Sequence, residues 1–113
     1  MERKTIEQYS FYGMFIPEYM VEGIYRFINK GTEPGGFLSS VISNDLFAAV
    51  GRADSANINL LPLYCAFFYN EAPSNCYGSK AQFNAWLKVG GLEGIRMRQE
   101  AKLKAGKAQT EIR

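Results

Sequence analysis

Arginine, amide and tyrosine side chains recur where this chain changes direction: Asn44-Asp45, Arg52-Ala53-Asp54, Asn57, Tyr69-Asn70 and Tyr77-Gly78-Ser79. Those types suit a nucleotide-sized ligand. Aromatic faces stack on bases, arginine pairs with phosphate through two parallel N–H donors, and amides read base edges. The expected ligand-binding set is therefore Arg26, Asn44, Asp45, Arg52, Asp54, Tyr69, Asn70 and Tyr77. Arg52 and Arg26 would meet phosphate, Tyr69 and Tyr77 would stack on a base, and Asn44, Asp45 and Asn70 would bond to base or ribose. Tyr25, Arg26 and Lys30 form a second patch on one predicted helix. Each residue also has a plainer role. Asn44 and Asp54 can cap helices, Arg52 can pair with Asp54, Asn57 and Asn59 can lie in solvent, and Tyr77 can cover the end of a core.

Catalysis is not expected. The chain has no histidine, the usual base near neutral pH. Ser39, Ser40, Ser43, Ser55, Ser74 and Ser79 stand beside no evident base, and most suit caps or turns. The two cysteines without histidine argue against a metal site, and no cofactor is expected. Cys65, inside an apolar run, reads as a small core residue; Cys76 reads as part of an accessible loop. The Gly-rich stretch 31–36 lacks the Gly-Lys-Ser/Thr ending of a phosphate loop and reads as a turn.

The elements that must carry these residues are mostly helical. Pro17 suits a helix start, Met20, Ile24, Phe27 and Ile28 follow at helical spacing, and Gly31 suits the stop, which predicts a helix over Glu18–Lys30. Phe37, Leu38, Val41, Ile42, Leu46, Ala49 and Val50 continue the spacing as a second helix. Ser43-Asn44-Asp45 interrupts that helix, either to restart it or to serve a site. A third helix is expected to run from Asp54 or Ser55 to about Tyr69 as the centre of the core. Pro62 would kink it or mark its true start. Ser79 with Gln82 reads as a capping box opening a fourth helix, with Phe83, Trp86 and Leu87 inward and Gly90-Gly91 closing it. For residues 2–15 the spacing defines no element.

The expected fold is thus a mostly α, compact bundle of about four short helices with a basic C-terminal tail, itself a candidate helix. Residues 1–15 form an arm, 16–91 the helical core domain and 92–113 the tail. Residues 1–91 carry 7 Lys/Arg against 8 Asp/Glu, and residues 92–113 carry 6 against 3, so positive charge gathers in the tail. A duplex reader needs basic residues on its folded body, so duplex nucleic acid is not an expected partner. No apolar run approaches membrane-spanning length, and the start does not resemble a signal peptide. A reducing cytoplasm, with both thiols free, is expected.

The middle of the chain, about residues 16–87, resembles a family of small phage-encoded proteins. The resemblance is carried by Ile16-Pro17-Glu18-Tyr19-Met20, Gly23-Ile24, Arg26, Gly31, Pro34-Gly35, Phe37-Leu38, Asn44-Asp45-Leu46, Arg52-Ala53-Asp54, Asn57, Tyr69-Asn70-Glu71-Ala72-Pro73 and Gly78-Ser79. Two departures are Tyr77, where the family often has tryptophan, and Pro62, where it usually has no proline. The resemblance implies a phage origin and action in the host bacterial cytoplasm. By analogy with other small phage proteins, the expected function is counter-defence: a homo-oligomeric sponge for a nucleotide immune signal of the cyclic oligonucleotide or cyclic ADP-ribose type. One rival is an inhibitor that binds a host defence protein directly, since 7 tyrosines and 8 phenylalanines suit an interface. Another is a phage structural or assembly component.

Overall fold

In the computed structural model the backbone is described for residues 1–112 and side-chain exposure for residues 1–106. The architecture is mostly α. Seven helices are present among the described residues, not the four that the spacing predicts: α1 (Arg3–Gln8), α2 (Glu18–Lys30), α3 (Gly36–Ile42), α4 (Leu46–Arg52), α5 (Leu61–Glu71), α6 (Lys80–Val89) and α7 (Gly91–Ile112). A two-stranded antiparallel hairpin, β1 (Ser10–Phe11) and β2 (Met14–Phe15), stands between α1 and α2.

The extra helices have local causes. The apolar run over residues 37–50 is two helices because Asn44 adopts a left-handed φ of 63°, which breaks the helix. Asp45 then caps α4, its carboxylate accepting from the Ala48 N–H at 3.2 Å. Leu46 and Val50, expected on a buried stripe, therefore face outward, and only Ala49 of α4 is buried. Pro62 marks the true start of α5, in the first turn where its missing N–H costs nothing. The segment before it is a short 3-10 turn, Asn57–Leu60. Residues 1–15 fold as α1 and the hairpin, and Ile6 is fully buried. The hairpin turns through Tyr12 and Gly13, both at positive φ, as a two-residue loop of this hand requires.

Other elements form as their residues direct. α2 spans Glu18–Lys30, and Gly31 ends it in the left-handed conformation, its N–H donating back to the Phe27 carbonyl. The Ser79 hydroxyl accepts from the Gln82 N–H at 3.1 Å and opens α6. The core lies where α2, α5 and α6 meet. Phe27 stacks on Phe83 at 5.6 Å between ring centroids and stands edge-on to Phe68. The Trp86 indole N–H donates to the Phe27 carbonyl at 2.9 Å, so the largest buried side chain also satisfies its one polar atom. Leu63, Tyr64 and Phe67 of α5 are fully buried.

The α6–α7 link touches the end of α2 backbone to backbone. A Cβ on Gly91 would lie 2.7 Å from the Ile28 carbonyl and the Gly31 nitrogen, and one on Gly31 would lie 2.8 Å from Gly90. Glycine is required at both for contact as well as for positive φ. From this junction α7 runs outward, exposed at each described position from Arg96 to Gly106, and the molecule measures 62 × 27 × 20 Å.

A candidate aromatic and amide cleft

Four of the eight residues singled out in the sequence line one cleft. Asn44, Tyr69, Asn70 and Tyr77 surround a volume of about 650 Å³ with Phe11 and Cys65. The end of α5 supplies Tyr69 and Asn70, the turn after α3 supplies Asn44, and the segment before α6 supplies Tyr77. Asn44 reaches this edge through the same left-handed turn that divides α3 from α4. Gly78 holds the far wall by donating its N–H to the Ile42 carbonyl at 2.9 Å.

The cleft is apolar in its floor and amide-bearing at its rim. Tyr69 is 75% exposed, so its ring face is open to a ligand. The Asn70 Nδ2 donates to the Tyr9 hydroxyl at 3.0 Å, which steadies the amide and leaves its oxygen as an acceptor. Tyr9 in turn stands edge-on to buried Phe67 at 5.4 Å. Among the described residues no lysine, arginine, aspartate or glutamate contributes to the lining.

The other expected site residues lie elsewhere. Arg26 is on α2, its Nε on the Glu22 carboxylate at 2.7 Å, and Arg3 occupies the other oxygen of that carboxylate. Arg3 also lies over the Tyr25 ring, 4.5 Å from its centroid. Arg52 and Asp54 do not pair with each other. Arg52 donates to the Ser40 hydroxyl at 2.8 Å. Asp54 accepts from the Tyr19 hydroxyl at 2.6 Å and from the Asn57 N–H at 2.7 Å. Asp45, Arg52 and Lys80 border a second depression, and Arg52, Asp54 and Tyr19 border a third. The site expected from sequence is thus divided between the cleft and these two depressions, with Arg26 apart from all three.

Three sequence expectations are corrected. Cys65 is exposed and lines the cleft, whereas Cys76 is fully buried. The reason is helical phase: Leu63, Tyr64, Phe67 and Phe68 fill the inner face of α5, which turns Cys65 outward. Cys76 closes a 3-10 turn (Ser74–Cys76) packed beneath α6, and burial pushes its thiol up to about 12. Partial desolvation by its neighbours, although the residue as a whole is exposed, also raises the Cys65 thiol, which disfavours the reactive thiolate there. Asn57 is 3% exposed rather than solvated, and its Oδ1 accepts from the buried Tyr64 hydroxyl at 2.6 Å.

Phe11, Val41, Pro62 and Phe68 join the cleft without having been singled out. Phe11 had a legible signal: Tyr12-Gly13 between aromatic residues can turn a hairpin, and the hairpin carries Phe11 to the rim. Among the described residues no cluster of three acidic or thiol side chains could hold a metal ion. No helix among them is long and apolar enough to cross a membrane. Compared with protein-family models, curated proteins and solved structures, the chain matches none.

Proposed function

We propose that this chain is a binding protein that sequesters a nucleotide-type signal without transforming it, and that the cleft holds the base. The convergence of Asn44, Tyr69, Asn70 and Tyr77 around one 650 Å³ volume carries this reading. That volume lies within the range of small-ligand clefts, about 300–1,000 Å³. A base needs flat apolar faces and edge groups that both donate and accept, which tyrosine rings and asparagine amides supply. The uncharged lining favours the base over the phosphate as the part held here. The raised Cys65 thiol and the lack of histidine in the sequence support binding over covalent chemistry. The resemblance to phage proteins makes a host immune signal the proposed ligand, the host cytoplasm the proposed location and a homo-oligomer the proposed assembly.

Thermal unfolding against cyclic dinucleotides, cyclic trinucleotides, ADP-ribose derivatives and the matching neutral nucleosides tests the reading. A ligand at about a hundred times its dissociation constant stabilises the folded state by roughly 2.7 kcal/mol. Tyr69→Ala is expected to weaken the active compound at least tenfold without moving the unliganded midpoint, because Tyr69 is largely exposed. The nucleoside should retain most of the affinity. No shift with any compound, or full affinity in Tyr69→Ala, would reject the reading.

One observation favours the inhibitor alternative. Phe47 is 91% exposed on the outer face of α4, beside the exposed Leu46 and Val50. Large apolar residues gathered on one helix face suit a protein partner. Recovery of one stoichiometric host protein by the wild type but not by Phe47→Asp would support it.

A further inference from the structure

The second depression, about 330 Å³ in volume, lies on the other side of the 43–45 turn from the aromatic cleft. We propose that it is a separate binding site for a tetrahedral oxyanion, such as the phosphate of a monoester, held by Arg52, Lys80 and the Ser43 hydroxyl. The inference does not depend on what occupies the cleft.

Arg52 is exposed but tethered at one end. Its stem crosses the first turn of α3, where a Cβ on Gly36 would lie 3.3 Å from the Arg52 Cδ. Its Nη1 donates to the Ser40 hydroxyl at 2.8 Å, and Ser40, only 3% exposed, donates its own proton to the Gly36 carbonyl at 2.8 Å. Ser40 is therefore a rigid neutral anchor. A guanidinium has five N–H donors. One is spent on Ser40, and the ion pairs among the described residues belong to Glu22 with Arg3 and Arg26. Arg52 has no carboxylate partner among them, so its remaining donors can make the bidentate pair that phosphate accepts.

The rest of the wall has matching chemistry. Ser43, the C-terminal cap of α3, brings a hydroxyl to this side, whereas the Ser39 hydroxyl donates its proton to the Pro34 carbonyl at 3.0 Å; Lys80, the first residue of α6, closes the opposite side. Two carboxylates also border the volume. Asp45 is engaged in capping α4 through the Ala48 N–H. Both carboxylates oppose an incoming anion, Glu33 from the exposed turn before α3 and Asp45 from the cap of α4.

Titration of the full chain with inorganic phosphate at constant ionic strength, followed by calorimetry, tests the site. Saturable binding is expected in the wild type. Arg52→Gln should weaken it at least tenfold, with Arg52→Lys intermediate because one ammonium cannot replace the paired donors. Lys80→Gln should weaken it several-fold, and Glu33→Gln should tighten it. If Arg52→Gln does not fold, Lys80→Gln and Glu33→Gln still read the same site in opposite directions. Tyr69→Ala, which alters only the cleft, should leave phosphate binding unchanged, so failure of either proposal is recognised apart from the other. Non-saturable binding, undiminished affinity in folded Arg52→Gln, or no tightening in Glu33→Gln would overturn the assignment.

Discussion

Asp54 joins three elements through one carboxylate. It accepts from Tyr19 of α2 and from the Asn57 N–H, and Asn57 carries the bond on to Tyr64 of α5. The Tyr19 hydroxyl, followed by that backbone N–H, holds the Asp54 carboxyl below the usual carboxylate range. The unfolded chain loses both bonds, so it takes up a proton at higher pH than the folded protein does. The stability from this group is therefore fully present above the ordinary carboxylate value, about 3.9, and is lost as pH falls through the lower folded value. Asp54→Asn should unfold at a lower temperature than the wild type at neutral pH, and the gap should narrow as pH falls below about 4. Glu22, also held low by Arg3, is common to both proteins and cancels in the difference. Parallel melting profiles would show that the network does not depend on the charge. The Asn57 N–H, three residues on, is the kind of partner the capping role of Asp54 leads one to expect, whereas the Tyr19 hydroxyl, 35 residues away, has no local signal.

Local capping chemistry made several elements legible. Gly31 as a stop, Ser79 with Gln82 as a start and Pro62 as a boundary act within four residues of themselves, so their sequence neighbours suffice. The hairpin is equally local, closed by Tyr12 and Gly13, but the backbone contact between Gly31 and Gly91 depends on chain brought from afar, and no local pattern announces it. The same limit explains the exchanged cysteines: the apolar run around Cys65 is visible, but which face of α5 turns inward is decided by α2 and α3, through Phe27 on Phe68 and Phe37 on Tyr64. Glycine substitutions measure this distinction. Gly91→Ala meets backbone atoms at 2.7 Å at a positive φ, so it should destabilise the protein by more than about 1 kcal/mol. Gly51→Ala, within α4 and with nothing within 4 Å of the added carbon, should stabilise it by about 0.5 kcal/mol. Urea unfolding read by the buried Trp86, the chain's one tryptophan, gives both values. Equal effects at the two positions would mean that the junction yields.

At the scale of the whole molecule, α7 is the part whose length the core does not explain. At its start, Gly91 is buried and Leu92 and Ile95 are half-buried against the domain. Beyond that, Met97 and Leu103 are exposed among Arg96, Arg98, Lys102 and Lys104. Most helical stability in proteins comes from packing of one face rather than from propensity, so the outer part gains little while it packs on nothing. A second copy that buries Met97 and Leu103 would supply the missing contact, and the proposed homo-oligomer would use this surface. Truncation after Arg96 should then leave the domain intact, with the unfolding midpoint of a dilute sample unchanged within about 3 °C, because a loss of 1 kcal/mol would move it by about 4–8 °C. The full chain should melt at a higher temperature as its concentration rises, since association stabilises by mass action, and the truncated chain should not. Light scattering should show the full chain alone to be larger than one protomer. A midpoint that drops by about 8 °C or more on truncation would instead tie outer α7 to the stability of its own domain. A full chain of one-protomer mass at all concentrations would remove α7 as a self-association surface.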